Sequence, residues 1–218
     1  MLTFRTAGES HGQALIALVE GLPSNIPVDI DFIDNELKRR QGGFGRGGRM
    51  KIEKDRVRFL SGVRHGKTLG SPVAMMIENR DWPNWEEIMS VREISTDAAT
   101  KRTVTRPRPG HADLAGSLKY NQVDARNILE RSSARETTAL VAAGGLAKVF
   151  LNAFGIEILS HTTAIGTVSV PQDFAVTWEQ LESLRNDEVV RCALSDVGER
   201  MVQEIEKAQF DLLDDDYS

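Results

Sequence analysis

The chain has 218 residues, of which 40% are hydrophobic and 27% are charged, and its formal net charge is −5, so it can form one large domain or two small ones around a buried core. No apolar run reaches the roughly 18 residues of a membrane span, and Arg5 and Glu9 interrupt the N-terminal segment that a secretory signal would need. Cys192 is the only cysteine, which excludes an internal disulfide or a multi-cysteine metal site and favours a cytoplasmic protein.

The first predicted element is a mostly buried strand at residues 11–22. A helix follows at residues 28–43, with Asp29 or Asp31 as its cap and two glycines at its end. The later predicted elements are two short strands at residues 51–63 around a turn at Lys54-Asp55, a buried strand after Pro72, a short helix at residues 84–91, a loop at residues 101–110, helices at residues 112–120 and 133–154, a strand at residues 156–170, and helices at residues 177–186 and 195–209. Because strands and helices interleave without a regular βαβ order, we expect an α+β layered fold.

The long helix predicted at residues 133–154 has a capping-box pattern in its first four residues and stops at Gly155. Gly144 and Gly145 within it cost roughly 1–2 kcal/mol of helix propensity in total. This cost predicts that another element packs closely against the two glycines.

The loop at residues 41–49, QGGFGRGGR, concentrates basic charge in an otherwise acidic protein. Its glycine spacing matches the dinucleotide-binding fingerprint, but that fingerprint needs a strand before it and a helix after it. Here a helix precedes and a strand follows, so we reject that interpretation. Arg40, Arg46 and Arg49 offer bidentate donors for phosphate or carboxylate groups. The alternatives are an RNA-binding glycine–arginine segment and a flexible hairpin tip.

The segment RSSARET, which begins at Arg131, is a second candidate anion site. If Ser133 caps the predicted helix, the free N–H groups of the first turn are available to an anion, and Arg131 and Arg135 add positive charge. Arginines at a helix N-terminus oppose the helix dipole, and a bound phosphate would explain their presence. The alternative is that Arg135 pairs with Glu130 or Glu136.

Two of the four histidines are framed by glycine or proline residues. His11 lies in GESHG, and His111 lies in RPRPGHAD at the predicted start of a helix. A lone histidine is more often structural than catalytic, whereas two framed histidines beside several arginines favour proton transfer near an anionic ligand. The histidines lack the paired spacing of metal ligands, so we expect no metal site. These residues alone fit phosphate lyases, phosphotransferases and flavin or nucleotide binders alike.

Five motifs have an order and spacing similar to those of chorismate synthase, the last enzyme of the shikimate pathway of aromatic amino-acid biosynthesis. They are GESHG, RRQGGFGRGGRM, SGVRHGKTLGSP, RPGHAD and RSSARET. The resemblance covers residues 1–207 and implies the β-α-β sandwich of that family, assembled as a homotetramer.

The resemblance also implies a reaction, the 1,4-anti elimination of phosphate from 5-enolpyruvylshikimate 3-phosphate to give chorismate. The family requires reduced FMN, which lends an electron that assists C–O cleavage and then recovers it, and NADPH is a candidate reductant. With 6% aromatic residues, the chain offers few stacking platforms for RNA. The expected partner is therefore a small phosphorylated substrate rather than nucleic acid or a membrane.

The family's functional residues match positions in this chain. By that resemblance, His11 protonates the departing phosphate and His111 protonates the reduced flavin. The implied substrate-binding residues are Ser10, Arg40, Arg46, Arg49 and Arg135, and the implied flavin-binding residues are Arg108, Arg131, Ser132 and Ser133.

The chain is shorter than members of this family, and its last residues, FDLLDDDYS, differ from the family's glycine-rich continuation. We therefore expect a chorismate-synthase-like portion at residues 1–207 and a divergent acidic tail at residues 208–218, with the C-terminal half of the fold absent. The alternative is a truncated, catalytically inactive fragment that retains partial ligand binding or a structural role.

Overall fold

A computed structural model describes residues 1–46, 53–187 and 189–215 of the chain. The chain divides into a first unit, Met1–Leu37 with Lys51–Phe154, and a second unit, Lys38–Met50 with Gly155–Ser218. Helices and antiparallel strands occur in both units, which confirms the predicted α+β class. Among the described residues, no helix is both long and apolar enough to cross a lipid bilayer.

The described strands of the first unit form two antiparallel sheets. The strands are β1 (Thr3–Ala7), β2 (Ala14–Glu20), β3 (Ser24–Pro27), β4 (Arg58–Phe59), β5 (Val63–Arg64), β6 (Lys67–Leu69) and β7 (Val73–Glu78). The larger sheet has the order β1-β2-β7-β4, and the smaller sheet has the order β3-β6-β5. In the larger sheet Leu15 lies opposite Ile77 and Ala17 opposite Met75. All four side chains are buried, so the alternation of each strand gives the sheet one apolar face.

The longest helix of the first unit covers that apolar face. The helices are α1 (Ile30–Gln41, with residues up to Leu37 in this unit), α2 (Thr96–Thr100), α3 (Asp113–Tyr120), α4 (Arg126–Ser132) and α5 (Thr137–Asn152), and 3₁₀ turns occupy Trp82–Asn84 and Ala134–Glu136. Helix α5 contacts β1, β2 and β7. Its Ala139, Ala142 and Leu146 form one core with the sheet and with Ile33 and Leu37 of α1.

Gly145 marks the contact between α5 and α1. A Cβ added at Gly145 would lie 3.2 Å from Cγ2 of Ile33 and 3.5 Å from its Cα, whereas one added at Gly144 would meet nothing within 4 Å. The close packing predicted at the glycine pair is therefore confirmed for Gly145, and Gly144 faces open space.

The second unit has a small core on its longest helix. Its elements include the rest of α1, β8 (Ala164–Ile165), β9 (Val168–Ser169), α6 (Trp178–Ser183), a 3₁₀ turn at Leu184–Asn186 and α7 (Ser195–Asp215). Val197 and Met201 of α7 are buried with Cys192. The boundary predicted after residue 207 lies inside α7 and stays a prediction.

Most of the longer predicted elements are confirmed. The strand at residues 11–22 contains β2, and the helix at residues 28–43 is α1, where the Asp29 carboxylate accepts a hydrogen bond from the Phe32 N–H at 2.9 Å. The predicted strand after Pro72, the loop at residues 101–110 and the helices at residues 112–120, 177–186 and 195–209 correspond to β7, a loop, α3, α6 with its 3₁₀ turn, and α7.

The turn predicted at Lys54-Asp55 is wrong. The side chains of this stretch alternate between buried positions, at Glu53, Asp55 and Val57, and exposed positions, at residues 54 and 56. Such alternation is that of an extended chain. Among its described residues, pairing as a strand begins only at β4. Residues 51 and 52 lie outside the described residues.

Two further predicted elements do not form as single regular elements. Residues 156–170 contain only the β8–β9 hairpin around Gly166; Ile156 and Ile158 are 49% and 52% exposed, so their alternation does not face a core. The helix predicted at residues 84–91 is irregular after the 3₁₀ turn that ends at Asn84.

The start of the helix predicted at residues 133–154 also differs. The chain makes a 3₁₀ turn first, and the Ser133 hydroxyl accepts the Arg135 N–H at 3.3 Å. The predicted capping box is absent from this turn, because the Glu136 carboxylate binds Thr6 and Arg131 instead.

We predict that Gly145→Leu lowers the free energy of unfolding by about 1–3 kcal/mol, the usual cost of forcing extra methylenes into a filled core. Gly144→Leu is the matched control at an exposed position of the same helix, where the better helix propensity of leucine adds up to about 1 kcal/mol. Urea unfolding followed by circular dichroism measures both. Equal effects of the two substitutions would contradict close packing of α1 at Gly145.

Candidate active site

The loop that carries His11 joins β1 to β2 and needs a glycine at its start. Gly8 has φ +108°, and an added Cβ would overlap the backbone oxygen of Ala14, so only glycine fits there. The Gly12 N–H then donates to the Glu9 carbonyl at 3.1 Å. This tight turn holds His11 next to helix α4.

A buried carboxylate fixes His11. The Glu130 side chain in α4 is 2% exposed, and its two oxygens lie 2.9 Å and 3.0 Å from Nδ1 of His11. The same carboxylate accepts the backbone N–H of His11 at 2.8 Å and an N–H of Arg126 at 3.0 Å. The backbone N–H of Ser10, itself buried, donates to the Glu130 carbonyl at 2.9 Å. One residue of α4 therefore holds both the ring and the backbone of this loop.

The charge of Glu130 determines which ring nitrogen of His11 carries hydrogen. Burial by itself raises the pKa of Glu130, but the hydrogen bonds from the ring and backbone of His11, with further contributions from the His11 charge and from Arg126, lower the pKa below its ordinary value. Glu130 is therefore ionised at neutral pH, and an ionised carboxylate only accepts hydrogen bonds. Nδ1 of His11 must then be the donor, which leaves Nε2 as the nitrogen that gains or releases a proton.

Trp85 covers one face of the His11 ring. The two ring centroids are 3.8 Å apart with an interplanar angle of 26°. The guanidinium carbons of Arg102 and Arg126 lie 3.8 Å and 5.0 Å from the Trp85 ring centroid, within the range of cation–π attraction. Asp81 fixes the indole by accepting its N–H at 2.9 Å. The surroundings of His11 therefore combine an aromatic cover with two cations, which suits an anionic ligand.

His111 and Arg108 share a second buried carboxylate, that of Asp113 at the start of α3. Nδ1 of His111 hydrogen-bonds one carboxylate oxygen, and Arg108 donates to both oxygens, at 2.9 Å and 3.2 Å. The hydrogen bond from Arg108 is the main cause that holds the pKa of Asp113 well below its usual range, against the opposing effect of burial. The same hydrogen bond raises the pKa of Arg108. Asp113 therefore stays ionised and orients both neighbours.

Three predicted flavin-binding residues lie at the end of α4. Arg131 donates to the carbonyl and hydroxyl oxygens of Thr6 at 3.1 Å and 2.8 Å, and its side chain remains 44% exposed. Ser132 donates to the Ile128 carbonyl at 2.9 Å, and Ser133 caps the 3₁₀ turn that follows. Guanidinium and hydroxyl groups are thus adjacent at one place on the first unit.

Arg135, a predicted substrate-binding residue, is buried. Nη1 donates to both oxygens of Asp55 at 2.7 Å and 2.9 Å, and Nε donates to the Asn79 side-chain oxygen at 2.8 Å. Nη2 lies 3.6 Å from a carboxylate oxygen of Glu53. The partners of Arg135 are therefore acids of the extended segment at residues 53–57, not the neighbouring glutamates of the sequence-based alternative. Direct contact with a ligand would require some of these bonds to break.

The other predicted substrate-binding arginines belong to the second unit. Arg40 is half-buried near the end of α1, and Arg46 is exposed, with its Nε donating to the Gly42 carbonyl at 3.3 Å. The Phe44 N–H donates to a backbone carbonyl at position 189 at 2.9 Å, so the first part of the glycine–arginine loop is anchored. Arg49 lies outside the described residues.

Sequence analysis missed four residues of this site: Glu130, Arg126, Trp85 and Asp113. Glu130 and Trp85 contact His11 from distant parts of the sequence, whereas Asp113 lies only two residues after His111. A further local signal is at α4, where the Arg126 N–H donates to the Asp124 carboxylate at 2.9 Å. An aspartate just before an Arg–Glu pair spaced i,i+4 is typical of a helix start. This pattern therefore predicts α4.

Comparisons with known proteins all match one family. The family model described as chorismate synthase matches residues 2–212. A chorismate synthase of Symbiobacterium thermophilum is 54% identical over 213 residues, which are 96% of this chain and 54% of that protein. The chorismate synthase of Shouchella clausii is 51% identical, with the same two shares covered. A crystal structure of chorismate synthase is 39% identical, with a TM-score of 0.70 over 95% of this chain and 54% of that chain. The chain thus spans about half the length of the relatives it matches.

Asp113→Asn tests the second buried carboxylate. Because the folded-state pKa of Asp113 is lowered well below its usual range, its charge stabilises the fold fully above the unfolded pKa of about 4, and this stabilisation declines progressively as the pH falls from that value towards the lowered folded-state pKa. We predict that the substitution lowers the free energy of unfolding more at pH 7 than at pH 3, as measured by urea unfolding.

Glu87→Gln is the control for Asp113→Asn, since Glu87 forms an exposed ion pair with Lys101 and such pairs contribute little. We expect nearly unchanged stability of this variant at both pH values. A destabilisation by Asp113→Asn that is equal at pH 7 and pH 3 would contradict an ionised, hydrogen-bonded Asp113.

Proposed function

This chain belongs to the chorismate synthase family, and we propose that it serves the lyase reaction of that family, the 1,4-anti elimination of phosphate from 5-enolpyruvylshikimate 3-phosphate to give chorismate. The observation that supports this most is the distance of 2.9 Å between Nδ1 of His11 and the buried Glu130 carboxylate. A histidine held at Nδ1 can release a proton from Nε2, which suits a departing phosphate.

The proposed role of His11 follows the charge that the reaction creates. The elimination breaks a C–O bond to phosphate and a C–H bond of the same ring. The electrons of the C–H bond enter the new C=C bond, and the ring proton passes to a base that is not among the residues assigned here. As the C–O bond breaks, the bridging oxygen gains negative charge, and the Nε2 proton of the imidazolium neutralises it. The hydrogen on Nδ1 stays bound to Glu130. Glu130 thereby stabilises the imidazolium before the transfer and sets the tautomer afterwards.

We assign the anionic groups of the substrate to arginines of the glycine–arginine loop. Arg40, Arg46 and Arg49 supply guanidinium donors for phosphate and carboxylate, and Ser10 lies beside His11. The exposed side chain of Arg46 supports this assignment, since a ligand can reach it. Arg135 remains a proposed substrate-binding residue only through a rearrangement that frees its guanidinium from Asp55.

We assign reduced FMN to Arg108, Arg131, Ser132 and Ser133, and Arg108 lies beside His111. The side chains of Arg108 and Arg131 are 51% and 44% exposed although a carboxylate fixes each, so their outer N–H groups fit the phosphate of the flavin. Bound by these residues, reduced FMN would supply the electron that assists C–O cleavage and would recover it afterwards, with NADPH as the proposed reductant. The Asp113 carboxylate holds Nδ1 of His111 and so fixes the ring beside Arg108.

We further propose that the protein acts in the cytoplasm and as a homo-oligomer, a tetramer. The chain matches about half of its relatives' length, so the activity of the 218-residue chain itself is the quantity to measure. Phosphate release and chorismate formation with reduced FMN test it directly. No phosphate release together with no affinity for substrate or flavin would overturn the proposed function.

We predict that His11→Ala lowers the rate of phosphate release by about 10²–10⁴-fold, the usual contribution of a positioned proton donor, and changes the substrate Kd much less. Rapid-quench assays measure the rate, and calorimetry measures the Kd. His65→Asn is the control, because His65 is an exposed residue at φ +50°, a conformation that asparagine tolerates. Unchanged turnover in His11→Ala would refute the role given to His11.

We predict the opposite pattern for Arg46→Ala, a loss of substrate affinity with little loss of rate. We expect the substrate Kd to rise by about 10–100-fold, because a charge-assisted hydrogen bond is lost, while phosphate release at saturating substrate changes little. Arg46→Lys keeps the charge without the bidentate geometry and should lie between the two. Equal affinities of the three proteins in a direct titration would remove Arg46 from the substrate site.

A further inference from the structure

We infer that Asn79 positions the His11 loop together with Glu130, and that Arg135 and Asp55 in turn hold Asn79. This inference rests on the proposed function of His11 for its catalytic consequence. The contacts that carry it lie within the first unit and need no ligand.

Asn79 binds the loop on both sides of His11. Its side-chain amide nitrogen donates to the carbonyl of Glu9 at 3.1 Å and to the carbonyl of Gly12 at 2.7 Å. Its backbone N–H donates to the Gln13 carbonyl at 3.1 Å. Both amide hydrogens are therefore used, and they join the two ends of the turn that presents His11.

The remaining polar atom of the Asn79 side chain faces a buried cation. Its oxygen accepts the Nε–H of Arg135 at 2.8 Å, and Arg135 is held in turn by the Asp55 carboxylate at 2.7 Å. Asn79, Arg135 and Asp55 are 3%, 4% and 5% exposed. Water therefore competes little for these bonds, and the orientation of the amide is fixed by its neighbours.

Only a carboxamide satisfies this arrangement. The loop carbonyls need two N–H donors, and the Arg135 guanidinium needs an acceptor. Aspartate has the same shape but no donor in its ionised form, so Asn79→Asp keeps the bond to Arg135 and places an anion against two carbonyl oxygens. The substitution thus releases the loop selectively, without changing side-chain volume.

The loop is then held from two directions. Glu130 fixes His11 itself, through its ring and its backbone N–H, and Asn79 fixes the residues on either side. A proton donor must be held closely at its acceptor to act efficiently. Loss of the Asn79 bonds leaves the Glu130 contacts in place but lets the turn open, so the ring is less often in position.

Amide hydrogen exchange of the 218-residue chain, followed by NMR, tests this without substrate. We expect Asn79→Asp to speed exchange of the His11 and Gly12 amides by about tenfold to hundredfold, because two hydrogen bonds of the loop are lost. The amides of Leu15 and Ala17 in the middle of β2 should keep their rates. Asn25→Asp is the control, the same chemical change at an exposed residue of β3, and it should leave the His11 and Gly12 amides unchanged.

Unchanged exchange at His11 and Gly12 would overturn the inference, and so would equal acceleration throughout β2, which would indicate a general structural role. If Asn79→Asp does not fold, Asn79→Ser removes the same donors without adding charge and is judged by the same criterion. Arg135→Lys should give a smaller acceleration at the same amides, since it weakens the support of Asn79 while keeping the charge.

A second readout connects the loop to turnover. We expect Asn79→Asp to lower kcat for phosphate release by about tenfold or more with a smaller change in KM, because the donor is misplaced while Arg40, Arg46 and Arg49 are unchanged. A change in KM alone would overturn the positioning role. If the unmodified chain lacks turnover, the exchange experiment still decides the inference, so failure of the proposed function and failure of this inference are distinguishable.

Discussion

The buried carboxylate of Glu130 is the constraint on which the rest of the site depends. An ionised carboxylate is costly to bury unless its oxygens are paired, and Glu130 is paired with the ring and backbone of His11 and with Arg126. This requirement brings α4 to the loop after β1, across 119 residues of sequence. The same contacts set the orientation of the histidine, so the stability of the fold and the proposed proton chemistry share one set of hydrogen bonds.

His111 is held by a buried carboxylate in the same way as His11. Asp113 is fully buried and is bound by His111 and Arg108, just as Glu130 is bound by His11 and Arg126. In each group the arginine favours the ionised acid, and the acid holds Nδ1 of the histidine. Arg135 is a further buried charge. It is paired with Asp55, and it contacts the His11 loop indirectly, through Asn79. Removing one partner of such a group leaves a buried charge uncompensated, which explains why these residues occur as sets.

Local patterns predict the parts of the fold that depend on neighbours in sequence. The cap of α1 at Asp29 and the close packing at Gly145 both follow from residue type and spacing, and the structure confirms both. The single strand predicted at residues 156–170 is wrong, because the alternating Ile156 and Ile158 do not face a core and only the short β8–β9 hairpin pairs within this segment. Helix α4 was not predicted because it spans fewer than two full turns. For the site, the sequence points to His11 and His111, whereas their acids become evident only when the chain folds.

The tautomer of neutral His11 tests the central claim most directly. Long-range ¹H–¹⁵N NMR spectra of the histidine-labelled chain, recorded about two pH units above the ordinary histidine pKa of about 6.5, distinguish a hydrogen on Nδ1 from one on Nε2. An ionised Glu130 at 2.9 Å from Nδ1 requires the Nδ1–H form at His11, with the exposed His65 as the reference and Glu130→Gln removing the preference. An Nε2–H tautomer at His11 would contradict the account, because Nε2 would then be unable to accept and release the catalytic proton while Glu130 holds the ring.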